Sequence, residues 1–133
     1  MERLRAPLYA QIELTYACNL GCGHCYNEPR FSTNSSGLAV LNRVKKESIE
    51  NNRFLAIAEE LAKHDVFAAT LTGGEVFTVR ERLYPTIEAL ARQDLEVTLN
   101  SNLTLTTEDD AKQLADLGVS GVMTSLISYE NFE

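Results

Sequence analysis

The three cysteines of this 133-residue chain lie in one short segment with the spacing Cys-x3-Cys-x2-Cys. They are Cys18, Cys22 and Cys25, and the sequence contains no fourth cysteine. Three thiolates from one loop can each bind one corner of a cuboidal iron-sulfur cluster, and Gly21 and Gly23 allow the tight turns that direct the sulfurs inward. One iron of such a cluster has no thiolate from the protein. An open coordination position of this kind lets a cluster bind a small molecule as well as carry electrons.

Two other uses of the cysteines stay open on the residues alone. A structural zinc site needs four nitrogen or sulfur ligands, and His24 is the candidate for the fourth position. Because His24 adjoins Cys25, the two side chains would struggle to reach one ion. A disulfide with one free thiol is the second alternative, and the odd number of cysteines fits it poorly.

The cysteine segment resembles the signature of the radical S-adenosylmethionine (SAM) enzymes, in which an aromatic residue usually follows the third cysteine. Tyr26 is in that position here. The resemblance implies that Cys18, Cys22 and Cys25 ligate a 4Fe-4S cluster and that the amino and carboxylate groups of SAM fill the open iron. It also implies that Tyr26 lies near the adenine of SAM.

A second candidate segment is Gly73-Gly74-Glu75, one βα unit after the cysteines. Glycines let a backbone approach a ligand closely, and a carboxylate can bind a ligand ammonium, although the same residues also occur in plain turns. The segment resembles the Gly-Gly-Glu motif with which radical SAM proteins contact the SAM amino group. The resemblance implies that the backbone of Gly73 and Gly74 and the carboxylate of Glu75 hold the methionine end of SAM.

Two further segments resemble strand ends of the same family. Residues 101–105 resemble a Thr-Asn-Gly-Thr-Leu stretch after the third strand, with Leu103 in place of the usual glycine. Residues 124–126 resemble the end of the fourth strand, where a serine approaches the SAM ribose. The resemblance therefore implies SAM-binding roles for Asn102 and Ser125, and ordinary hydrogen bonding at strand ends is the alternative for both.

The spacing of apolar residues predicts alternating strands and helices. Strands are expected at residues 8–14, 66–71, 95–99 and 119–127. Helices are expected from 48 to 64, from Pro85 at a first helical position, and from a Thr107 cap to Gly118. Residues 27–37 are expected to form a loop and residues 38–46 a short helical insert. Alternation of this kind predicts a parallel sheet with helices outside and polar motifs at the ends of the strands.

Several side chains have expected positions within these elements. The spacing of the first helix predicts an inward stripe of apolar residues, namely Phe54, Ile57, Ala58 and Leu61. Met123, in an apolar strand, is expected in the core. Arg80 and Arg82 are expected to form a solvated surface.

The resemblance implies an α/β fold, a partial (β/α) barrel of the TIM type with a parallel sheet and outer helices. Radical SAM barrels usually have six βα units, and this sequence supplies about the first four strands. We therefore expect residues 1–133 to be a single radical SAM core domain that is incomplete at its C terminus, either part of a longer enzyme or a truncated relative. An uncovered fourth strand would favour self-association or a partner chain at the open sheet edge.

Composition excludes several classes of protein. The chain has 44% hydrophobic and 23% charged residues, as folded proteins do. Its net charge of −7 lacks the basic footprint of a general nucleic-acid binder. The sequence contains no apolar run long enough for a membrane span and no recognisable signal peptide. Free thiols without a secretion signal predict a cytoplasmic protein.

These expectations combine into one function. The resemblance implies reductive cleavage of SAM by an electron from the cluster, which gives methionine and a 5′-deoxyadenosyl radical that abstracts a substrate hydrogen. The pattern Cys-Asn-Leu-x-Cys-x-His-Cys-Tyr looks most like family members that modify peptides or cofactors. The implied partners are a peptide or small-molecule substrate and an electron donor. The alternative is a non-catalytic iron-sulfur or zinc-binding interaction module that kept the cysteine loop.

Overall fold

The computed structural model describes residues 7–20, 22, 25 and 49–124. Its strands are β1 (Tyr9–Thr15), β2 (Ala68–Gly73), β3 (Glu96–Asn100) and β4 (Gly121–Met123). Its helices are α1 (Asn51–Lys63), α2 (Arg80–Ala91) and α3 (Glu108–Asp116), and a 3-10 turn (Val76–Val79) precedes α2. The strands form a parallel sheet in the order β1-β2-β3-β4. The predicted α/β fold with a parallel sheet is confirmed.

The observed strands begin one or two residues later than the apolar runs predicted. β2 was expected at 66–71, and it ends at Gly73 because the first glycine of the Gly-Gly-Glu segment still pairs with Thr15 of β1. β4 was expected to extend to residue 127, and its last residues lie outside the described part of the chain. The predicted loop at 27–37 and insert at 38–46 also lie outside it.

The core is formed by side chains from the inner strands and from α1 and α2. Leu71 and Leu99 pair in the register of β2 and β3, and both are fully buried. Burial of an apolar side chain of this size stabilises a fold by about 1.5 to 3 kcal/mol. The fully buried core side chains of the helices are Phe54, Ala58, Leu83, Ile87 and Leu90. No helix in the described ranges is long and apolar enough to cross a membrane.

Two apolar side chains differ from their expected core positions. Ile57 is 37% exposed, because the buried face of α1 follows Phe54 and Ala58, and Ile57 lies to one side of it. Met123 is 72% exposed, because β4 is the last strand in the sheet order and pairs only with β3 among the described strands.

The prediction that Pro85 begins the second helix is wrong. α2 begins five residues earlier, at Arg80, and Pro85 lies inside it on an exposed position. Glu75 caps the 3-10 turn by accepting a hydrogen bond from the N–H of Phe77, and that turn continues directly into α2. Pro85 lacks the N–H of an ordinary helical residue, and tertiary contacts hold the first turn of the helix that precedes it.

Arg80 and Arg82 make those contacts, so the expectation of a solvated surface is also wrong. Arg80 donates to the carbonyl oxygen of Phe77 at 2.6 Å. Arg82 donates to the carbonyl oxygen of Leu14 at 2.6 Å and to the side-chain oxygen of Asn51 at 2.9 Å, and its guanidinium lies over the Phe54 ring at 5.0 Å. Arg82 thus connects α2 to β1 and α1.

The predicted start of α3 is confirmed. The Thr107 hydroxyl accepts a hydrogen bond from the backbone N–H of Asp110 at 3.1 Å, and the Asp110 carboxylate accepts one from the N–H of Thr107 at 2.8 Å. Arg80 donates two hydrogen bonds to the same carboxylate, both at 2.8 Å, and the Tyr84 hydroxyl donates another. These bonds hold the pKa of Asp110 well below its usual range. Burial is the main cause that raises the pKa of Tyr84 to about 12.

The buried Asp110 carboxylate predicts a specific loss of stability in acid. The unfolded chain binds a proton on this group near pH 3.9, whereas the folded chain binds it only at much lower pH. The unfolded state therefore holds more protons between these values, and the free energy of unfolding falls as pH drops below about 4. We expect Asp110→Asn to lower the free energy of unfolding by about 2 kcal/mol at pH 7. In urea titrations, its free energy of unfolding should also fall less steeply with decreasing pH than that of the parent. Parallel pH profiles for the two proteins would contradict this assignment.

Candidate functional site

The motifs of the sequence meet at one edge of the sheet. β1, β2 and β3 are parallel, so their carboxyl ends lie side by side. We call residues 15–20, 73–75 and 101–104, together with Cys22 and Cys25, the strand-end site. Tyr26 and Ser125, which were also expected here, lie outside the described part of the chain, as do Gly21, Gly23 and His24.

The Gly-Gly-Glu segment is bonded to the start of the cysteine segment. The N–H of Gly74 donates to the carbonyl oxygen of Thr15 at 2.6 Å, and the N–H of Glu75 donates to that of Ala17 at 2.7 Å. Gly73 has φ +143°, and a Cβ there would lie 2.3 Å from the Thr15 oxygen. The glycine at this position is thus required by the approach of two backbones within the protein. Cys18 follows Ala17 directly, so this approach also fixes where the cysteine segment begins.

Glu75 is fully buried, and its carboxylate binds donors of the protein itself. One oxygen accepts hydrogen bonds from the N–H of Phe77 at 3.1 Å and the hydroxyl of Ser101 at 2.8 Å. The other accepts from the N–H of Asn102 at 2.7 Å. The carboxylate therefore connects the end of β2 to the end of β3.

The end of β3 returns to the cysteine segment and closes a ring of hydrogen bonds. The side-chain NH2 of Asn102 donates to the oxygen of Asn19 at 3.0 Å and faces the sulfur of Cys18 at 3.7 Å. Asn19 in turn donates to the hydroxyl of Thr104 at 2.7 Å. Each of the three strand ends is therefore bonded to the other two. Asn19 and Thr104 were not expected in the site, although both lie inside the segments that carry the family resemblance.

The three cysteines form no disulfide, and all are partly exposed. The backbone N–H of Cys25 donates to the carbonyl oxygen of Cys22 at 3.1 Å. The N–H of Leu20 donates to the sulfur of Cys18 at 3.5 Å. In the described ranges, no group of three His, Cys, Asp or Glu side chains is arranged to hold a metal ion.

A comparison with protein families decides the identity. The family model described as the radical SAM superfamily matches residues 12–132. The chain belongs to the radical SAM superfamily. Mycofactocin maturase MftC of Mycolicibacterium smegmatis is 30% identical to it over 123 residues, which are 92% of this chain and 28% of MftC. This radical SAM chain spans between 13% and 35% of the length of the curated relatives that it matches.

Two solved structures share its fold. BtrN in complex with AdoMet and 2-DOIA has a TM-score of 0.69 and 16% identity, over 96% of this chain and 48% of BtrN. Streptococcus suis SuiB bound to precursor peptide SuiA has a TM-score of 0.63 and 20% identity, over 84% of this chain and 22% of SuiB. The match to about half of BtrN confirms that the described strands and helices form part of a radical SAM barrel.

The donor set of this radical SAM chain fits an iron-sulfur cluster. Three cysteines in one segment, without a fourth cysteine in the sequence, suit a cluster with three protein ligands. The N–H of Leu20 and the NH2 of Asn102 face the Cys18 sulfur, and such donors suit a sulfur that carries negative charge.

Leu103 lies at the position where the family resemblance implies a glycine, and its backbone conformation is one that glycine adopts more easily. Its φ is +59°, in the left-handed region that costs a non-glycine residue about 1 to 2 kcal/mol. We expect Leu103→Gly to stabilise the chain by about 0.5 kcal/mol, since relief of strain exceeds the entropic cost of glycine. Leu103→Val should destabilise it, because a branched Cβ fits this region worse. Urea unfolding of both variants tests the order, and a valine variant more stable than the glycine variant would contradict it.

Proposed function

We propose that this chain binds a 4Fe-4S cluster through Cys18, Cys22 and Cys25, binds SAM beside it, and acts as the core of a radical SAM enzyme. The observation that carries the proposal is the ring of hydrogen bonds that joins the cysteine segment, the Gly-Gly-Glu segment and the end of β3. When bound, the cluster supplies the electron for reductive cleavage of SAM to a 5′-deoxyadenosyl radical, which abstracts a substrate hydrogen. The protein residues bind and orient SAM, and they exclude water from the site.

Each part of the strand-end site has a proposed role toward SAM. The backbone of Gly73 and Gly74 holds the methionine end, since both glycines are partly exposed beside the cysteine segment. The Glu75 carboxylate acts by fixing the two strand ends, because its oxygens already accept three hydrogen bonds in a fully buried position. Asn102 lies between that carboxylate and Cys18. Tyr26 near the adenine and Ser125 near the ribose complete the proposed site.

The proposed substrate class is a peptide or a cofactor precursor. The relative MftC is named a maturase, and the structural neighbour SuiB was solved with a precursor peptide, so both support this class. We propose a cytoplasmic location with an electron donor, because cysteines outside disulfides and a reducible cluster suit a reducing compartment.

Association at the β4 edge is also proposed. Met123 is 72% exposed and Val122 is 39% exposed on the last strand of the sheet order. An apolar parallel edge of this kind favours pairing with another chain. Light scattering tests it: a mass above that of one chain is expected, and a stable monomer at micromolar concentration would contradict it.

Anaerobic reconstitution with iron and sulfide tests the proposed function. With SAM and a strong reductant, the parent chain should release 5′-deoxyadenosine, and Cys22→Ala should abolish release because one cluster ligand is lost. His64→Ala, a change at an exposed side chain after α1, is the matched control and should keep the parent's yield. A cluster that never cleaves SAM would favour the non-catalytic module. A colourless protein with one zinc per chain would contradict both.

A further inference from the structure

The side-chain amide of Asn102 has a fixed orientation beside Cys18. Its oxygen accepts hydrogen bonds from the backbone N–H of Thr104 at 3.0 Å and from the Thr104 hydroxyl at 2.7 Å. A backbone N–H can only donate, so this contact identifies the oxygen and places the NH2 group on the other side. One hydrogen of the NH2 is directed to the oxygen of Asn19 and the other to the sulfur of Cys18.

The backbone of Asn102 is held as well. Its N–H donates at 2.7 Å to the carboxylate of Glu75, which is itself fully buried. Asn19 accepts from Asn102 and donates to Thr104, so the amide is part of a closed ring. The NH2 group cannot turn away from the Cys18 sulfur without breaking several of these bonds. It is a preorganised donor.

Two donors converge on the Cys18 sulfur. The backbone N–H of Leu20 lies at 3.5 Å and the NH2 of Asn102 at 3.7 Å, both within reach for sulfur. An N–H group directed at a metal-bound sulfur stabilises negative charge there. The charge grows when a cluster takes up an electron, so such donors raise the reduction potential.

We infer that Asn102 is a positioning residue that sets the reduction potential of the cluster through an N–H···S hydrogen bond to Cys18. The inference rests on the proposed function, since it needs the cluster on the three cysteines. It differs from the SAM contact that family resemblance implies for Asn102. Loss of a SAM contact alone would leave the potential of the SAM-free cluster unchanged.

Redox titration of the reconstituted chain without SAM, followed by EPR of the reduced cluster, tests the inference. Asn102→Asp keeps the oxygen that Thr104 needs but replaces the donor with a negative oxygen, and Asn102→Ala removes the amide. Both should shift the midpoint potential to more negative values than the parent, and the aspartate variant should shift it further. Gln113→Ala is the matched control, because it removes a side-chain amide from an exposed position of α3 outside the strand-end site. Its potential should stay close to that of the parent.

The outcomes separate this inference from the proposed function. Iron and sulfide analysis first shows whether each protein carries the cluster, and circular dichroism shows whether it folds. If Asn102→Ala does not fold, Asn102→Leu takes its place, because it also removes the amide and adds no charge near the cluster. Loaded Asn102 variants with the parent's potential would overturn the role of Asn102 and leave the proposed function intact. A parent chain that takes up no cluster would overturn both.

Discussion

Gly73→Ala is expected to destabilise the chain by about 3 to 5 kcal/mol, a large fraction of the stability of a domain this size. The new Cβ would lie 2.3 Å from the carbonyl oxygen of Thr15 and 3.0 Å from its nitrogen. Both atoms are backbone atoms of β1, which cannot turn aside as a side chain would. The φ of +143° adds strain for any residue with a side chain. Urea unfolding monitored by circular dichroism measures the loss.

Gly118→Ala and Gly121→Ala separate the two causes. Gly118 also has a positive φ, +76°, but a Cβ there meets nothing within 4 Å. Backbone strain alone should therefore lower the free energy of unfolding of Gly118→Ala by only about 1 kcal/mol. A Cβ at Gly121 meets nothing either, and no positive φ adds strain. If Gly73→Ala lowered the free energy of unfolding no more than Gly118→Ala does, the result would contradict a close approach of the β1 and β2 backbones.

Glu75→Gln is expected to cost about 3 kcal/mol although the two side chains have nearly the same shape. Three donors face the two carboxylate oxygens, from Phe77, Ser101 and Asn102. Glutamine has one oxygen, so its NH2 must face the backbone N–H of either Phe77 or Asn102 in whichever orientation it takes. The glutamine NH2 and the backbone N–H that it faces are both donors, so neither has an acceptor in this fully buried position.

A double-mutant cycle with Ser101→Ala shows whether this carboxylate acts through β3. We expect a coupling energy of at least about 1 kcal/mol between Glu75→Gln and Ser101→Ala. Glu108→Gln, at an exposed acid in the first turn of α3, is the matched control and should change stability by less than about 0.5 kcal/mol. Additive effects of the Glu75 and Ser101 changes would exclude the connection between the two strand ends.

The sequence predicted the order of elements because each one has a local signal. The Thr107 cap with Asp110 three residues on is such a signal, and so is the apolar run that contains Leu71. Parallel strands then bring the polar motifs to one edge, so the neighbourhood of Cys18 and Glu75 also followed from the pattern alone.

The positions at which the structure differs from the sequence predictions involve contacts between residues that are far apart in the chain. α2 begins before Pro85, and Arg80 at its start binds the carboxylate of Asp110, 30 residues later. The Glu75 carboxylate turns inward because Ser101 and Asn102 supply donors from β3. Periodicity and spacing within one segment carry no information about such partners, so a solvated surface was predicted for Arg80 and the contacts of Glu75 with the end of β3 were not predicted.

Mössbauer spectroscopy of the anaerobically reconstituted chain, before and after addition of SAM, tests the central claim most directly. If three cysteine sulfurs hold the cluster and leave one iron for SAM, each chain should carry about four irons. SAM should then change the signal of one iron and leave the other three as they were. A spectrum that SAM does not alter, or a chain that takes up no iron, would contradict the account.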